Sequence, residues 1–521
     1  MRLARAAVAL ALLAAAPPPD PVAIPVTVAT ELGDHQSGRL IVFAKRVEPG
    51  AKPDAEIDAT SFGAAEVSLA AREVDDIGGG KVALVDGESG SFPSPFSSLP
   101  PGLYRLQAVL DRNHNYNYSG RGAGDLVSDV VEVSLPGRIS PVALTRALPD
   151  PSEADLLALL DSGDRAVLAP YLTQIHRVDF VSPALSAFWA RPIHVHGWIA
   201  LPPGYRDKGP RFPTAYSIAG FGGTDFTARV GAARMMGAMA SGGYPPMLWV
   251  FLDESSATGT HEFADSANNG PWGEALTAEL IPALERQYRM DARPSGRFLT
   301  GHSSGGWASL WLQIRYPKIF GGTWPTAPDP SDFHDFSNVD LYAPGANVYR
   351  NEAGAAYPVM RQNGKVLATY RQFARTEAVL GAYGGQFASF EWVFSPKGPD
   401  GRPMPMFDRS TGAVDAGVVA FWRDHYDIAH IVERDWQTLK PDLDGKIHMI
   451  VGTADTFYLD GPAHRFKAVL DGLGARSDFR FVPDRTHGNL LQVGDDRRGL
   501  LRTIAWEMQA VARPGTKGPA N

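Results

Sequence analysis

The segment Gly301-His302-Ser303-Ser304-Gly305 carries the densest chemistry in this chain. An apolar stretch, 297–300, precedes it, and a helix-periodic run, 308–316, follows and is stopped by Pro317. A serine with glycines two residues to either side, set between a strand and a helix, is the pattern of a nucleophile on a tight, strained turn. The glycines let the backbone close, and the helix turns its positive end toward a developing oxyanion. A lone serine is a weak nucleophile and needs a base, which in turn needs an orienting acid. Two later apolar stretches each lead into a loop bearing one of these: 447–451 runs into Gly452-Thr453-Ala454-Asp455, and 478–482 into Pro483-Asp484-Arg485-Thr486-His487. The order serine, acid, histidine is the one expected of such a turn. Ser303, Asp455 and His487 are therefore the catalytic candidates. Asp460 and Asp484 are rival acids; the first lies further from the strand end, in reach of a helix start, and the second reads as a turn residue.

Acyl transfer also needs two backbone donors for the oxyanion. One is expected from Ser304, directly after the nucleophile. The other is expected from the glycine-rich loop after 214–218, Ala219-Gly220-Phe221-Gly222-Gly223, with Phe221 N–H the first candidate and Gly222 the second. Trp272 and Trp307 are the candidate substrate-wall residues, against the alternative that they are core.

These residues must be carried by elements. From about residue 190, apolar strand patterns (193–201, 214–218, 247–252, 297–300, 447–451, 478–482) alternate with helical ones (273–288, 308–316, 463–473, 495–511). This alternation predicts a doubly wound, mostly parallel sheet. Residues 325–439 interrupt it and are too long for a bare loop; helices at 365–380 and 418–434 are expected there, packed as a lid. Residues 21–150 read instead as short strands between Gly/Pro/Ser clusters, a small all-β, sandwich-like module. A helical linker, 151–189, opens with Ser152 as a helix cap. The catalytic domain is then 190–515.

The part after residue 190 resembles the putative-esterase family of α/β-hydrolases, which includes esterase D, feruloyl esterases and enterochelin-esterase-like proteins. The matching stretches are Leu201-Pro-Pro-Gly-Tyr205, Ala219-Gly-Phe-Gly-Gly223, 272–285 with Tyr288, Gly301-His-Ser-Ser-Gly305, and the contexts of Asp455 and His487. The resemblance covers roughly 180–510 and implies ester hydrolysis by a serine acyl-enzyme without a cofactor. The chain departs from the family in two places. Many members have His-Gly where it has Ala219-Gly220, and the insertion after Pro325 exceeds the compact family pattern, so the ester itself does not carry over.

Composition narrows the alternatives. With 49 Lys plus Arg against 57 Asp plus Glu, the formal charge of −8 offers no cluster for nucleic acid or an anionic membrane. The absence of cysteine excludes disulfides, thiolate zinc, Fe–S clusters and thiol nucleophiles. Residues 1–16, a charged start followed by a short apolar run, read as a secretory signal too short to span a bilayer. A periplasmic or secreted protein follows, with no stable membrane anchor after signal removal. Its partner is a small-molecule or glycan-linked ester, and oligomeric state is left open. No metal is expected. The loop Asp111–Gly120 has oxygen ligands at alternate positions but lacks the closing glutamate of a calcium loop, and His194-Val-His196 reads as an edge-strand pair without a matching acid. Two other functions compete: acyl transfer or peptide cleavage by the same three residues, and a non-catalytic glycan-binding surface protein.

Overall fold

The computed structural model describes residues 20–63 and 66–516, so the signal segment 1–16 lies outside the described residues. The chain divides into two compact units. Of the described residues, the first unit comprises 20–58, 66–110 and 126–146. Its nine strands form one hydrogen-bonded network that curls until Ala83–Asp86 lies against Val67–Ile77. Alternate residues of Gln36–Arg46 (Leu40, Val42, Ala44) point into one apolar cluster with Val26, Leu106 and Leu144, as period-2 strand geometry requires.

Of the described residues, the second unit holds 147–516 together with two short stretches of the N-terminal half, 59–63 and 111–125. Its sheet has eight strands: β1 His176–Val181, β2 His194–Ala200, β3 Thr214–Ile218, β4 Leu248–Leu252, β5 Arg297–His302, β6 Gly322–Thr326, β7 His448–Gly452 and β8 Asp478–Val482. Their order across the sheet is β1-β2-β4-β3-β5-β6-β7-β8. The two pairings at the β1 edge are antiparallel, and every later one is parallel. Both faces are covered. Trp249 and Phe298 enter one core cluster while their neighbours Val250 and Leu299 enter another, since successive strand residues point to opposite faces. This is the doubly wound, mostly parallel sheet expected from the alternating pattern, and the α/β-hydrolase fold that the resemblance implies.

The sheet starts earlier than the residue 190 boundary suggests. The stretch 151–189 contains Glu153–Ala158, Ser162–Leu172 and Pro183–Trp189 as helices, but β1 lies among them. Its burial is confined to one face, with only Val178 fully buried, so its sequence lacks the apolar run of an inner strand.

Six helices matter for the site: α1 Asp225–Ala240, α2 Ser304–Arg315, α3 Tyr370–Leu380, α4 Gln386–Phe394, α5 Ala416–His425 and α6 Ile428–Leu443. The last four belong to the insertion between β6 and β7. The expected helix 365–380 is in fact a strand, Lys365–Thr369, paired with Pro358–Gln362, followed by α3. Thr369 and Gln372 form a reciprocal capping box that fixes this switch. The expected helix 418–434 is two. Asp427 caps the start of α6 by accepting the His430 N–H, and the chain breaks there. The insertion buries its own aromatic core, in which Phe333, Phe336, Phe394 and Trp422 lie ring to ring. Among the described residues no helix is long and apolar enough to cross a membrane.

Candidate active site

β5 ends in a sharp turn at Ser303, whose backbone is left-handed (φ 59°) although it carries a side chain. Such a conformation stores strain and is tolerated where the surroundings hold it. They do so here. The Ser303 N–H donates to Thr326 O at 3.1 Å, and the Ser303 carbonyl accepts the first helical bond of α2 from Trp307 N–H at 3.0 Å. The flanking glycines are required by space. A Cβ on Gly301 would run into the Gly305 carbonyl, and one on Gly305 into the carbonyls of Ile218 and Ala219. The turn is thereby packed onto the end of β3.

The same approach brings the glycine-rich loop to the serine. A Cβ on Gly220 would lie 2.9 Å from Ser303 Cβ. Gly223 N–H bonds back to Gly220 O at 2.9 Å, with Gly222 at φ +83°, closing a turn whose two middle amides, Phe221 and Gly222, are not consumed by it. At the start of α2, the N–H of Ser304 likewise has no partner within the helix.

His487 and Asp455 meet as the pattern of their loops suggests. The imidazole Nδ1 and Asp455 Oδ2 are 2.8 Å apart, with Asp455 fully buried and the His487 side chain 13% exposed. Asp455 Oδ1 accepts from Phe457 N–H at 2.8 Å and Leu459 N–H at 3.3 Å. Burial alone would raise this carboxyl; the hydrogen bond and charge of His487, with the two amides, outweigh it and hold it below its ordinary value. The rivals are occupied otherwise. Asp460 pairs with Arg361 at 2.8 Å, and Asp484 is an exposed turn residue with φ 57°.

Ser303, His487 and the loop Ala219–Gly223 line one cavity of about 580 Å³. No hydrogen bond joins the Ser303 hydroxyl to His487; that hydroxyl lies instead within hydrogen-bond range of the Asp329 carboxyl. The cavity wall is aromatic. Phe336, Phe373, Phe387 and Phe390 come from the insertion, and Phe457 from the loop after β7. Phe62, from 59–64, lies 5.1–5.8 Å from the rings of Phe221, Phe373 and Phe457. The loop 111–125 contributes from behind. The Tyr118 hydroxyl donates to Gly223 O at 2.7 Å, its ring meets Phe221 edge-on, and Asn117 Nδ2 donates to Glu377 O and Gly381 O at the end of α3. Asp111 accepts the N–H groups of Asn113, Asn115 and Tyr116, so its carboxylate orders this loop.

Two further residues at the site lie outside the set that motif spacing singles out. His302 is packed 4.4 Å from the His487 ring, with Nδ1 3.0 Å from Thr326 Oγ1. Burial, then the neighbouring His487, lowers it to about 3, so it is neutral. Asp329 lies one loop beyond β6, and its Oδ2 accepts the Ser304 hydroxyl at 2.6 Å. Burial raises it to about 6, against the lowering effect of the Ser304 hydrogen bond. A carboxyl just past a strand end was a legible signal, but the assignment of everything after Pro325 to the lid hides it. Neither candidate tryptophan lines this cavity. Trp307 is wholly buried, stacked 5.1 Å from Trp311 and 4.8 Å from Phe394, because the first turn of α2 sends it into the core. Trp272 lies against His261 at 3.5 Å and borders a different cavity.

A left-handed serine between a parallel strand and a helix, with a buried Asp–His pair delivered by the ends of β7 and β8, defines an α/β-hydrolase. The sequence profile of the putative esterase family matches residues 190–460, and the chain belongs to that family: it is an esterase. No curated protein matches it. Among solved structures it is similar to a ferulic acid esterase (14% identity over 65% of this chain and 98% of the other, TM-score 0.37). It is also similar to an S-formylglutathione hydrolase from Agrobacterium tumefaciens (13%, 65% and 94%, TM-score 0.37). A ferulic acid esterase from Anaeromyces mucronatus is similar as well (12%, 63% and 89%, TM-score 0.35).

Proposed function

We propose that this chain is an exported serine hydrolase that cleaves a carboxylic ester through an acyl-enzyme on Ser303. The observation that carries this reading is the Asp455–His487 pair opening into the cavity that Ser303 lines. Ser303 Oγ attacks the acyl carbon while His487 Nε2 takes its proton. The proton is returned to the leaving alcohol, and the cycle repeats with water. Asp455 holds the imidazole by Nδ1 and stabilises its charged form. The N–H groups of Ser304 and Phe221, with Gly222 as the alternative to Phe221, bind the oxyanion. No cofactor enters these steps. The phenylalanine wall suits an apolar or aromatic acyl group, since apolar contact there is worth about 25 cal/mol per Å² removed from water. Export rests on residues 1–16.

The test is Ser303→Ala against p-nitrophenyl butyrate, with circular dichroism as the folding control. Turnover is expected to fall by roughly four or more orders of magnitude, and a fluorophosphonate probe should label the native chain and not the variant. Native turnover in the variant would overturn the assignment. The aromatic lid also favours a second acceptor, because an acyl-enzyme shielded from water can pass its acyl group to another alcohol. Product analysis with and without added alcohol separates transfer from hydrolysis.

A further inference from the structure

A second cavity, of about 680 Å³, shares no lining residue with the one at Ser303. Trp189, Trp272, Tyr383 and Trp392 wall it, and His194 and His196 lie on its surface. The two histidines are two apart on β2, so they share a face. Asp179 on β1 is the register partner of His196 and presents its carboxylate to the same face. Ligand atoms of all three residues lie within 4.8 Å of one another, and the imidazole rings are parallel within 7° at 5.6 Å. The acid missing from the sequence beside His194-Val-His196 is thus supplied across the strand pair, 15 residues before His194.

A hydrogen-bonded pair with Asp179 would account for one imidazole only. His194 Nδ1 bonds Asp179 Oδ1 directly. His196 Nδ1 lies 3.8 Å from that same oxygen, is shielded from solvent and has no hydrogen-bond partner. A second nitrogen aimed at an already satisfied carboxylate is what a metal site needs and an ion pair does not. We propose that Asp179, His194 and His196 bind a zinc ion. Ligand bonds of about 2.0–2.1 Å at a tetrahedral angle set donor atoms about 3.3 Å apart. For the two carboxylate–imidazole pairs the direct hydrogen bond and the 3.8 Å separation bracket that distance, and all three donors lie within 4.8 Å of one another. Two imidazoles and one carboxylate suit zinc, whereas calcium and magnesium favour oxygen ligands. The chain has no cysteine to compete for the ion. The cavity leaves room for a fourth, exchangeable ligand.

The test is calorimetric titration of untagged full-length protein, freed of metal by chelator, with zinc chloride at pH 7.5. One equivalent per chain is expected. His196→Ala should weaken binding roughly 100-fold or more, since loss of even an outer-shell partner costs 10–100-fold at metal sites. His334→Ala serves as the control, because His334 makes an exposed pair with Asp340 at 3.2 Å and has no second imidazole; it should bind zinc as the native chain does. Cobalt(II) should give the visible absorption of a tetrahedral site in the native chain and not in Asp179→Asn, a readout that stands if His196→Ala misfolds. Absence of saturable zinc binding, or equal binding and an equal cobalt spectrum in the variants, would overturn the proposal.

Discussion

Asp455 and Asp329 are a natural pair for comparison. Each lies a few residues beyond the C-terminal end of a parallel strand, β7 and β6, and each is more than nine-tenths buried. Their carboxyls nevertheless move in opposite directions. Asp455 faces an imidazole and two amides and is held below its ordinary value. Asp329 receives a neutral hydroxyl and is raised to about 6. Burial disfavours the charge in both, so the partner decides. Close by, Glu254 and Glu262 are fully buried. Burial, reinforced by Asp329, pushes both well above the usual carboxylate range. The strand end supplies the position and the neighbour supplies the role: an ionised orienter for a base at 455, and at 329 a carboxyl that fixes the hydroxyl of Ser304.

The sharpest way to break this contrast is to neutralise each acid without changing its shape. Asp455→Asn should cost about 10⁴ in kcat, because the amide presents the wrong partner to Nδ1 and cannot stabilise the imidazolium. Asp329→Asn keeps an acceptor for the Ser304 hydroxyl, and its kcat at pH 7 should stay within about 10-fold of native. Steady-state kinetics of both variants on one ester checks the pair. Equal losses would show that Asp329 and Asp455 are not differentiated as the geometry indicates.

What the amino-acid sequence made legible follows the same division between position and neighbour. The turn at Ser303 is a local event: two glycines, an apolar strand and a helix within 20 residues suffice to place it. The loops bearing Asp455 and His487 are each attached to a strand whose apolar run is plain, and the parallel order brings those strand ends together. The wall of the cavity is not local. Phe62, Phe373 and Phe457 are separated by 311 and 84 residues and meet only through the packing of the insertion. Trp307 is misread for a related reason, since helix periodicity does not distinguish the cavity from the core at the first turn of α2. Asp179 escaped because pairing of β1 with β2 depends on register, and β1 has too little apolar character to announce itself as a strand.

A smaller effect sharpens the comparison through its sign. Asp329 is raised from 3.8 to about 6. Between these values the folded chain holds a proton that the unfolded chain releases. Its contribution to stability is therefore complete below pH 3.8 and lost as pH rises through about 6. Asp455 is lowered, so its contribution is present above 3.8 and lost as pH falls through its folded value. Thermal unfolding between pH 4 and pH 7 should show the native chain losing stability relative to Asp329→Asn by about 1–3 kcal/mol. The comparison with Asp455→Asn should show no such loss over that range. A native chain that instead gained on Asp329→Asn with rising pH would mean that Asp329 is ionised and paired in the folded state, and the two acids would then be alike.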